Sequence, residues 1–425
     1  MSFEDFFAAQ SFFLWSTFIL AFILGAVVNK TNFCTMGAVS DWVNMGDTGR
    51  LRAWVLAGTV AMIGVVILEL TGMANLSNST LPPYRGSEFQ WGRYILGGLL
   101  FGIGMTLASG CGNKTLIRIG GGNIKSIFVF VVIAVIAYYM VDPFKQLPAT
   151  WYQQAFAPWL GKASISLSTP QDIGSIVGNW FGVSALTMRT ILGAILAVVV
   201  LFILFRSAEF RSNFDNVFAG VVIGLIILLA WYFTARVGVT TEEGTQSLTQ
   251  FYGNWDFVMD SAEGKPKNGS TNLLPQSFTF ISPIGQAYGY AGAGFASAFL
   301  TFGVVSVIGV ILGSFIWSLI SKGFRIEWFV NFKDFYTHII GGVLMGFGGV
   351  LGLGCTVGQG ITGISTLALG SFLVFASIVL GSGLTMKIQY YKLVYEDEAT
   401  FIKALITALV DFKLLPSGMR KLEAV

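Results

Sequence analysis

Apolar runs of bilayer length alternate along this chain with short polar breaks. Spanning a membrane takes about 20 consecutive, mostly apolar residues. About nine stretches reach that length, near 9–29, 52–72, 93–112, 123–141, 182–205, 215–236, 296–320, 337–354 with continuation to 368, and 370–389. The pattern predicts an all-α, polytopic membrane protein. The stretch 31–47 is too polar and too short to cross, and is expected to be re-entrant. Two connecting stretches are long. Residues 142–180 carry Trp151, Tyr152, Trp159 and Trp180, which suits amphipathic pieces at the membrane interface. Residues 237–285 are polar and acidic and read as an exposed loop. A cap over the outer vestibule is the sharper alternative for that loop.

Two of the apolar runs are copies of one another. ILGGLLFGIGMTLASGCG, from Ile95 to Gly112, aligns without a gap on IIGGVLMGFGGVLGLGCT, from Ile339 to Thr356. The offset of 244 residues pairs Gly97 with Gly341, Gly98 with Gly342, Gly102 with Gly346, Gly104 with Gly348, Gly110 with Gly354 and Cys111 with Cys355. An internal repeat in a membrane chain points to a transporter whose site lies at the repeat interface. Each copy is interrupted at its cysteine, so broken helices are expected. Gly97, Gly98 and Gly102 are expected to serve helix packing.

Composition and charge sharpen this picture. Apolar residues make up 54% of the chain and charged residues 11%, where a soluble domain has about 25% charged. Lys and Arg are uneven. The stretches 30–52, 113–125, 206–213, 321–335 and 387–425 hold 17 of them, whereas 73–93, 142–180 and 237–285 hold 6. The positive-inside bias places the first group in the cytoplasm. The N-terminus is then periplasmic and the C-terminus cytoplasmic, which an odd number of crossings satisfies. The first glycine-cysteine helix runs inward and the second outward, so the repeats are expected to be inverted. Repeat one covers about 9–142, a linker helix about 182–205 and repeat two about 214–390. The insertions 142–180 and 237–285 are periplasmic, and 390–425 is a cytoplasmic tail. The start MSFEDFFAAQ lacks a basic n-region, so the first helix is expected to remain in the mature chain.

The breaks are where chemistry is expected. Unpaired backbone groups at membrane depth are tolerated only where they line a cavity or are buried in protein. The N-terminus of a half-helix presents free N–H groups and partial positive charge, an anion site without a charged side chain. Gly110, Gly112 and Gly354 are the candidate backbone positions for such sites. A lone cysteine in a membrane helix is more often a small hydrophobe than a reactive group. Cys34, Cys111 and Cys355 all fall in glycine-rich or polar breaks, which favours the functional reading. Lys114 is the nearby cation, and a cation at this depth is usually functional. Asn113, Thr35, Thr356 and Gln359 supply hydrogen bonds. His338 reads as an interface residue, and Glu69 as reaching the interface from the outer end of its helix. No Cys-x-x-Cys pair is present and His338 is the single histidine, whereas a structural zinc site needs about four ligands. No metal or other cofactor is expected. Thiols are soft, weak donors. They match an anion with a terminal sulfur better than sulfate, which makes thiosulfate the natural candidate and its selenium analogues the next.

In three motifs the chain resembles the YeeE/YedE family of bacterial inner-membrane proteins, whose best-understood members take up thiosulfate. They are NFCTMGAVSDW with the following GDTGRLRAW, SGCGNKTLIRIGGGNIKS, and GFGGVLGLGCTVGQGITGIS. The resemblance implies that Cys34, Cys111 and Cys355 are the functional cysteines. It also implies a narrow passage in which thiosulfate is handed between thiols by transient S–H···S contacts, with no stable covalent adduct. This chain looks longer than the compact thiosulfate-uptake members, mainly through 142–180 and 237–285. Other branches are associated with selenium metabolism. The family's association with a small cytoplasmic sulfur-carrier protein implies that any carrier is a separate chain. The other expected partners are the small anion and the lipid bilayer, with no nucleic acid. Two rivals remain. One is a membrane sulfurtransferase holding a persulfide on Cys111 beside Lys114. The other is a passive channel or structural subunit. No G-x-x-x-x-G-K-[ST] loop is present, so direct ATP coupling is not expected.

Overall fold

A computed structural model of the chain describes residues 1–76, 79–242, 244–255, 265 and 273–423. In chain order the helices are α1 (Phe6–Thr31), α2 (Thr35–Ser40), α3 (Gly49–Leu70), α4 (Trp91–Leu107), α5 (Gly112–Gly120), α6 (Ile124–Val141), α7 (Ala157–Leu160), α8 (Ile173–Phe181), α9 (Ala185–Phe205), α10 (Ala208–Ser212), α11 (Phe214–Arg236), α12 (Leu248–Gly253), α13 (Ile281–Gly292), α14 (Phe302–Ile320), α15 (Phe332–Leu351), α16 (Leu369–Val394) and α17 (Phe401–Asp411). Among the described residues, nine spans are long and apolar enough to cross a bilayer, with α1 and α2 counted in one and α4 and α5 in another. That is the all-α, multi-pass fold the apolar runs predict. Some bounds differ: α14 starts at Phe302 instead of 296, and α15 covers Phe332–Leu351 instead of 337–354.

Five short strands also form: β1 (Ser2–Phe3), β2 (Glu88–Phe89), β3 (Ile165–Ser166), β4 (Gly238–Thr241) and β5 (Gly244–Ser247). β1 pairs in parallel with β4, β4 pairs antiparallel with β5, and β2 pairs antiparallel with β3. They gather the N-terminus and the connections after α3, α6 and α11 on one face, called the N-terminal face below.

The core is a crossing of α4 and α15, the two copies of the glycine-rich run. They meet antiparallel and backbone to backbone. A Cβ on Gly97 would lie 2.3 Å from the Gly352 nitrogen. One on Gly348 would lie 2.4 Å from the Phe101 nitrogen, and one on Gly104 would lie 2.7 Å from the Gly341 oxygen. Only glycine permits such an approach. The other glycines of each copy face a second neighbour. Gly102 abuts the Ile378 carbonyl of α16, and Gly346 abuts Ile136 of α6. Further out, α1 lies along α14, where Asn29 Nδ2 donates to the Ser314 carbonyl at 2.9 Å. α3 lies along α11. α9 packs on α3 and α8 and turns Val198 and Phe202, each 69% exposed, outward.

The stretch 237–285, expected as an exposed loop, divides in two. Of its acidic residues, Glu242 is exposed at the β4–β5 turn, while Glu243, Asp256, Asp260 and Glu263 lie outside the described residues. Its end, 276–285, is largely buried, with Phe278, Phe280 and Ile284 fully enclosed. Thr234 Oγ1 donates to the Gln276 carbonyl at 2.8 Å, and Ser277 Oγ donates to the Ile227 carbonyl at 2.9 Å. α13 then packs against α6, with Gly285 and Gly289 against Tyr138.

A second correction concerns Glu69, which does not reach the interface. It is buried, and Arg85 grips it at 2.5 and 3.1 Å. Arg189 stands 3.6 Å from Glu69 and binds Asp172 at 2.8 and 3.1 Å. Asp172 also caps α8 by accepting from the Ser175 N–H at 2.8 Å. Arg85 Nε reaches the Thr366 carbonyl at 2.9 Å. Two cations and two anions thus cancel inside one cluster, which joins α3, α8, α9 and the turn before α16. Burial pushes the Asp172 carboxyl up, but hydrogen bonds from Arg189, the charge of Arg85 and the Ser175 hydroxyl outweigh it and hold the carboxyl below its ordinary value. Its contribution to stability is therefore full above the ordinary carboxylate value of about 3.9 and fades as pH falls through the lowered native value.

Two outcomes follow for purified protein in detergent. Asp172→Asn leaves Arg189 short of a counter-charge in a buried site and should cost about 3–5 kcal/mol. Its thermal midpoint should drop at neutral pH, and the difference from wild type should shrink towards strong acid. Gly348→Ala should abolish the monodisperse peak in size-exclusion chromatography. Gly253→Ala, where a Cβ meets nothing within 4 Å, should leave that peak unchanged.

Candidate functional site

The two breaks in the core helices are built alike. α4 ends with Ser109 in the left-handed region at φ 58°, and α15 ends with Leu353 there at φ 56°. The Gly110 N–H closes on the Met105 carbonyl at 2.8 Å, and the Gly354 N–H closes on the Gly349 carbonyl at 2.8 Å. This is the six-to-one bond of a Schellman cap, which ends a helix while satisfying its free carbonyls. A non-glycine residue in that cap costs about 1–2 kcal/mol. After each cap one extended residue, Cys111 or Cys355, leads into helix again. The Thr115 N–H then bonds the Cys111 carbonyl at 2.9 Å, and the Gln359 N–H bonds the Cys355 carbonyl at 2.8 Å.

Several helices that start at the two faces are capped by polar side chains, whereas α3, α4 and α16 start without one. Asp5 accepts from Ala8 at 2.9 Å, Asn123 from Ser126 at 3.0 Å and Asn331 from Asp334 at 2.8 Å. Cys34 and Cys111 hold the same position before α2 and α5 without a side-chain cap. A cap is worth about 1 kcal/mol, so its absence leaves N–H groups with capacity for an incoming acceptor.

The structure places Cys111 near each of the other two cysteines. All are free and buried. Cys111 lies within electrostatic reach of both Cys34 and Cys355. A Cβ on Gly112 would stand 3.9 Å from Cys355 Cβ. The Lys114 N–H and the Thr356 side chain face the Cys111 sulfur. The N–H groups of Gly358, Phe280 and Val357 and the Thr279 side chain face the Cys355 sulfur.

Around the thiols, polar atoms stand without partners. Among the described residues, Thr35 Oγ1, Asn113 Oδ1, Thr279 Oγ1, Thr356 Oγ1 and Trp54 Nε1 are buried and have no hydrogen-bond partner. Such an atom costs about 1–3 kcal/mol, and a group of them marks room for a ligand or water. Thr35, Asn113 and Thr356 are residues the sequence singles out. Lys114 Nζ bonds Asn32 Oδ1 at 2.6 Å, and its charge acts on Cys34 and Cys111. Gly110 makes room for the Lys114 stem, which a Cβ would approach to 3.1 Å. Gln359 is occupied differently from the expectation: its Nε2 donates to the Gly352 carbonyl at 2.7 Å and secures the end of α15. Gly354 lies beside Thr279. His338 is buried rather than interfacial, with Nδ1 2.8 Å from the Asp334 carbonyl oxygen and its ring against Phe329.

Sequence reasoning missed three residues here. Trp54 stacks on Phe33, next to Cys34, at 4.5 Å between ring centres. Arg93 and Thr279 line a cavity of about 390 Å³ on the N-terminal face, together with Tyr152, Ser282, Gln286 and Gly354. Arg93 sits over the Tyr152 ring at 4.4 Å and donates to the Val350 and Leu351 carbonyls. The one available signal was the apolar Phe278–Ile281 after a polar stretch, too short to read as a buried element.

Comparison with known proteins agrees with this geometry. A family model described as sulphur transport matches residues 30–384, a span that holds all three cysteines. The thiosulfate transporter TsuA of Spirochaeta thermophila is 24% identical over 378 residues, covering 87% of this chain and 97% of that protein. The thiosulfate transporter TsuA of Escherichia coli is 24% identical over 389 residues, covering 86% of this chain and 92% of that protein. The broken helices, the grouped thiols and a match over most of the chain lead to one conclusion: this protein belongs to the sulphur-transport family, of the YeeE/YedE type, and is a transporter rather than an enzyme.

Proposed function

We propose that the protein imports thiosulfate, or a closely related sulfur-containing anion, through a path along Cys34, Cys111 and Cys355. The observation that carries this reading is that Cys111 lies within electrostatic reach of Cys34 and Cys355, all three buried among polar atoms that lack partners. An anion leaving water loses its hydration and needs donors in return. Free N–H groups at the half-helix starts, the Lys114 charge and the hydroxyls of Thr35 and Thr356 can supply them. The soft thiols add a preference for terminal sulfur over oxygen. Each contact is weak, so the ion is held without being trapped.

The same reading takes the chain as two inverted repeats, about 9–142 and 214–390, joined by α9. Its support is that contacts exchange under the 244-residue register. Gly97 meets Gly348, and Gly341 meets Gly104. Gly102 faces α16 as Gly346 faces α6. α1 lies along α14 as α11 lies along α3. In this scheme 33–46 and 273–292 are corresponding re-entrant segments from opposite sides. The Lys and Arg bias puts the N-terminal face in the periplasm and α17 in the cytoplasm of the inner membrane.

Uptake of labelled thiosulfate into cells lacking their own importers tests this. Wild type should show saturable uptake that excess sulfate leaves unchanged. Cys111→Ala should lower uptake about 10-fold or more, in line with loss of one donor to a charged partner, at normal membrane abundance. Unchanged uptake in Cys111→Ala removes that residue from the path. A persulfide on Cys111 that survives to mass spectrometry redirects the assignment to sulfur transfer.

A further inference from the structure

The partnerless hydroxyl of Thr279 stands out because most hydroxyls around its segment are used, Thr356 Oγ1 being the other exception. Thr234 bonds the Gln276 carbonyl, Ser277 bonds the Ile227 carbonyl, and Thr362 Oγ1 bonds the Phe278 carbonyl at 2.6 Å. Thr301 Oγ1 bonds Gln286 at 2.5 Å. These bonds pin the extended backbone of 276–280, so Thr279 is held in place rather than left loose. Thr279 is 6% exposed, and among the described residues its Oγ1 has no well-formed hydrogen bond and nears only the Cys355 sulfur.

Its surroundings show where it points. On one side it lines the cavity of about 390 Å³ that opens on the N-terminal face. On the other it faces the Cys355 sulfur. The backbone on both sides of Cys355 is kept bare for it. A Cβ on Gly354 would come to 3.1 Å from Thr279 Oγ1, and one on Gly358 to 2.3 Å. Thr279 is therefore the wall between the cavity and the nearest thiol.

Its place in the chain matches that of Cys34. Phe33-Cys34 leads into α2, and Phe278-Thr279 leads towards α13 through Phe280. The shift between them is 245 residues, one more than the 244 that relates the glycine-cysteine helices.

We propose that Thr279 is a fourth substrate-contacting position, the hydroxyl counterpart of Cys34, which receives the anion from the N-terminal-face cavity and passes it to Cys355. This rests on the thiol-path reading. The hydroxyl donates to one oxygen of the anion, which leaves the terminal sulfur to turn towards Cys355. An oxyanion without such a sulfur gains the first contact and lacks the second. The first position thus selects for charge and oxygen, and the next for sulfur.

The test compares thiosulfate uptake by wild type, T279S, T279C and T279V at matched membrane abundance. It also counts the thiols that a charged methanethiosulfonate reagent modifies in purified T279C and wild type. T279S and T279C should stay within about 2-fold of wild type, while T279V, which keeps the shape and loses the hydroxyl, should fall about 10- to 100-fold. T279C should show one more modified thiol per chain than wild type. T279A serves the same comparison if T279V does not reach the membrane. Active wild type matched by T279V overturns the role of Thr279 and leaves the thiol path standing. Inactive wild type with a labelled T279C takes down the thiosulfate reading and keeps Thr279 as a wall of the path. No extra modified thiol in T279C overturns the proposal whatever the uptake shows.

Discussion

Backbone N–H and C=O groups at membrane depth need partners, and this chain meets that need in two ways. Where α4 and α15 stop, Schellman caps return the last N–H groups to the helix carbonyls. Where helix resumes at Cys111, and where α2 starts at Cys34, no side chain takes up the first N–H groups. The contrast with Asp5, Asn123 and Asn331 at the faces is chemical. A residue with a strong side-chain acceptor would close the helix start upon itself. Cysteine is small and a poor acceptor, so it leaves that start open and adds a soft surface of its own.

The rest of the site follows from this opening. Thr35, Asn113, Thr356 and Thr279 come from four separate segments and share one condition, a buried polar atom with nothing to bond. A fold that ties down Thr234, Ser277, Thr301 and Thr362 nearby has the means to tie these down as well. Gln246 Oε1 and Thr249 Oγ1, on β5 and α12, share that condition, so it is the grouping of the four beside the cysteines that supports the proposed path.

Much of the fold could be read from the sequence, because apolar runs of bilayer length have few alternatives and a gapless repeat of glycines has fewer. The breaks at Cys111 and Cys355 were also readable, since glycine-rich polar punctuation inside an apolar run costs too much to be accidental. Two things were not. The stretch 278–285 was read as the end of a loop because a half-length helix behind a polar stretch carries no spanning signal. Its burial comes from α6, far away in sequence, and from α14, which follows it. Glu69 was read as reaching the interface because a single charged residue does not show its partners Arg85 and Arg189, nor Asp172 beyond them. Only the fold joins the four into a neutral cluster.

The glycine crossing has a consequence for the bilayer around it. Membranes differ in thickness, and helices answer a mismatch by tilting or by adjusting their ends. Side chains between helices usually absorb such changes by shifting rotamers. Between α4 and α15 few side chains can shift, because backbone touches backbone at Gly97, Gly104, Gly341 and Gly348. Strain from the lipid is therefore diverted to the rim, to α9 and the outer flanks. The two helix ends that carry Cys111 and Cys355 are thus held to each other by backbone packing at the glycines.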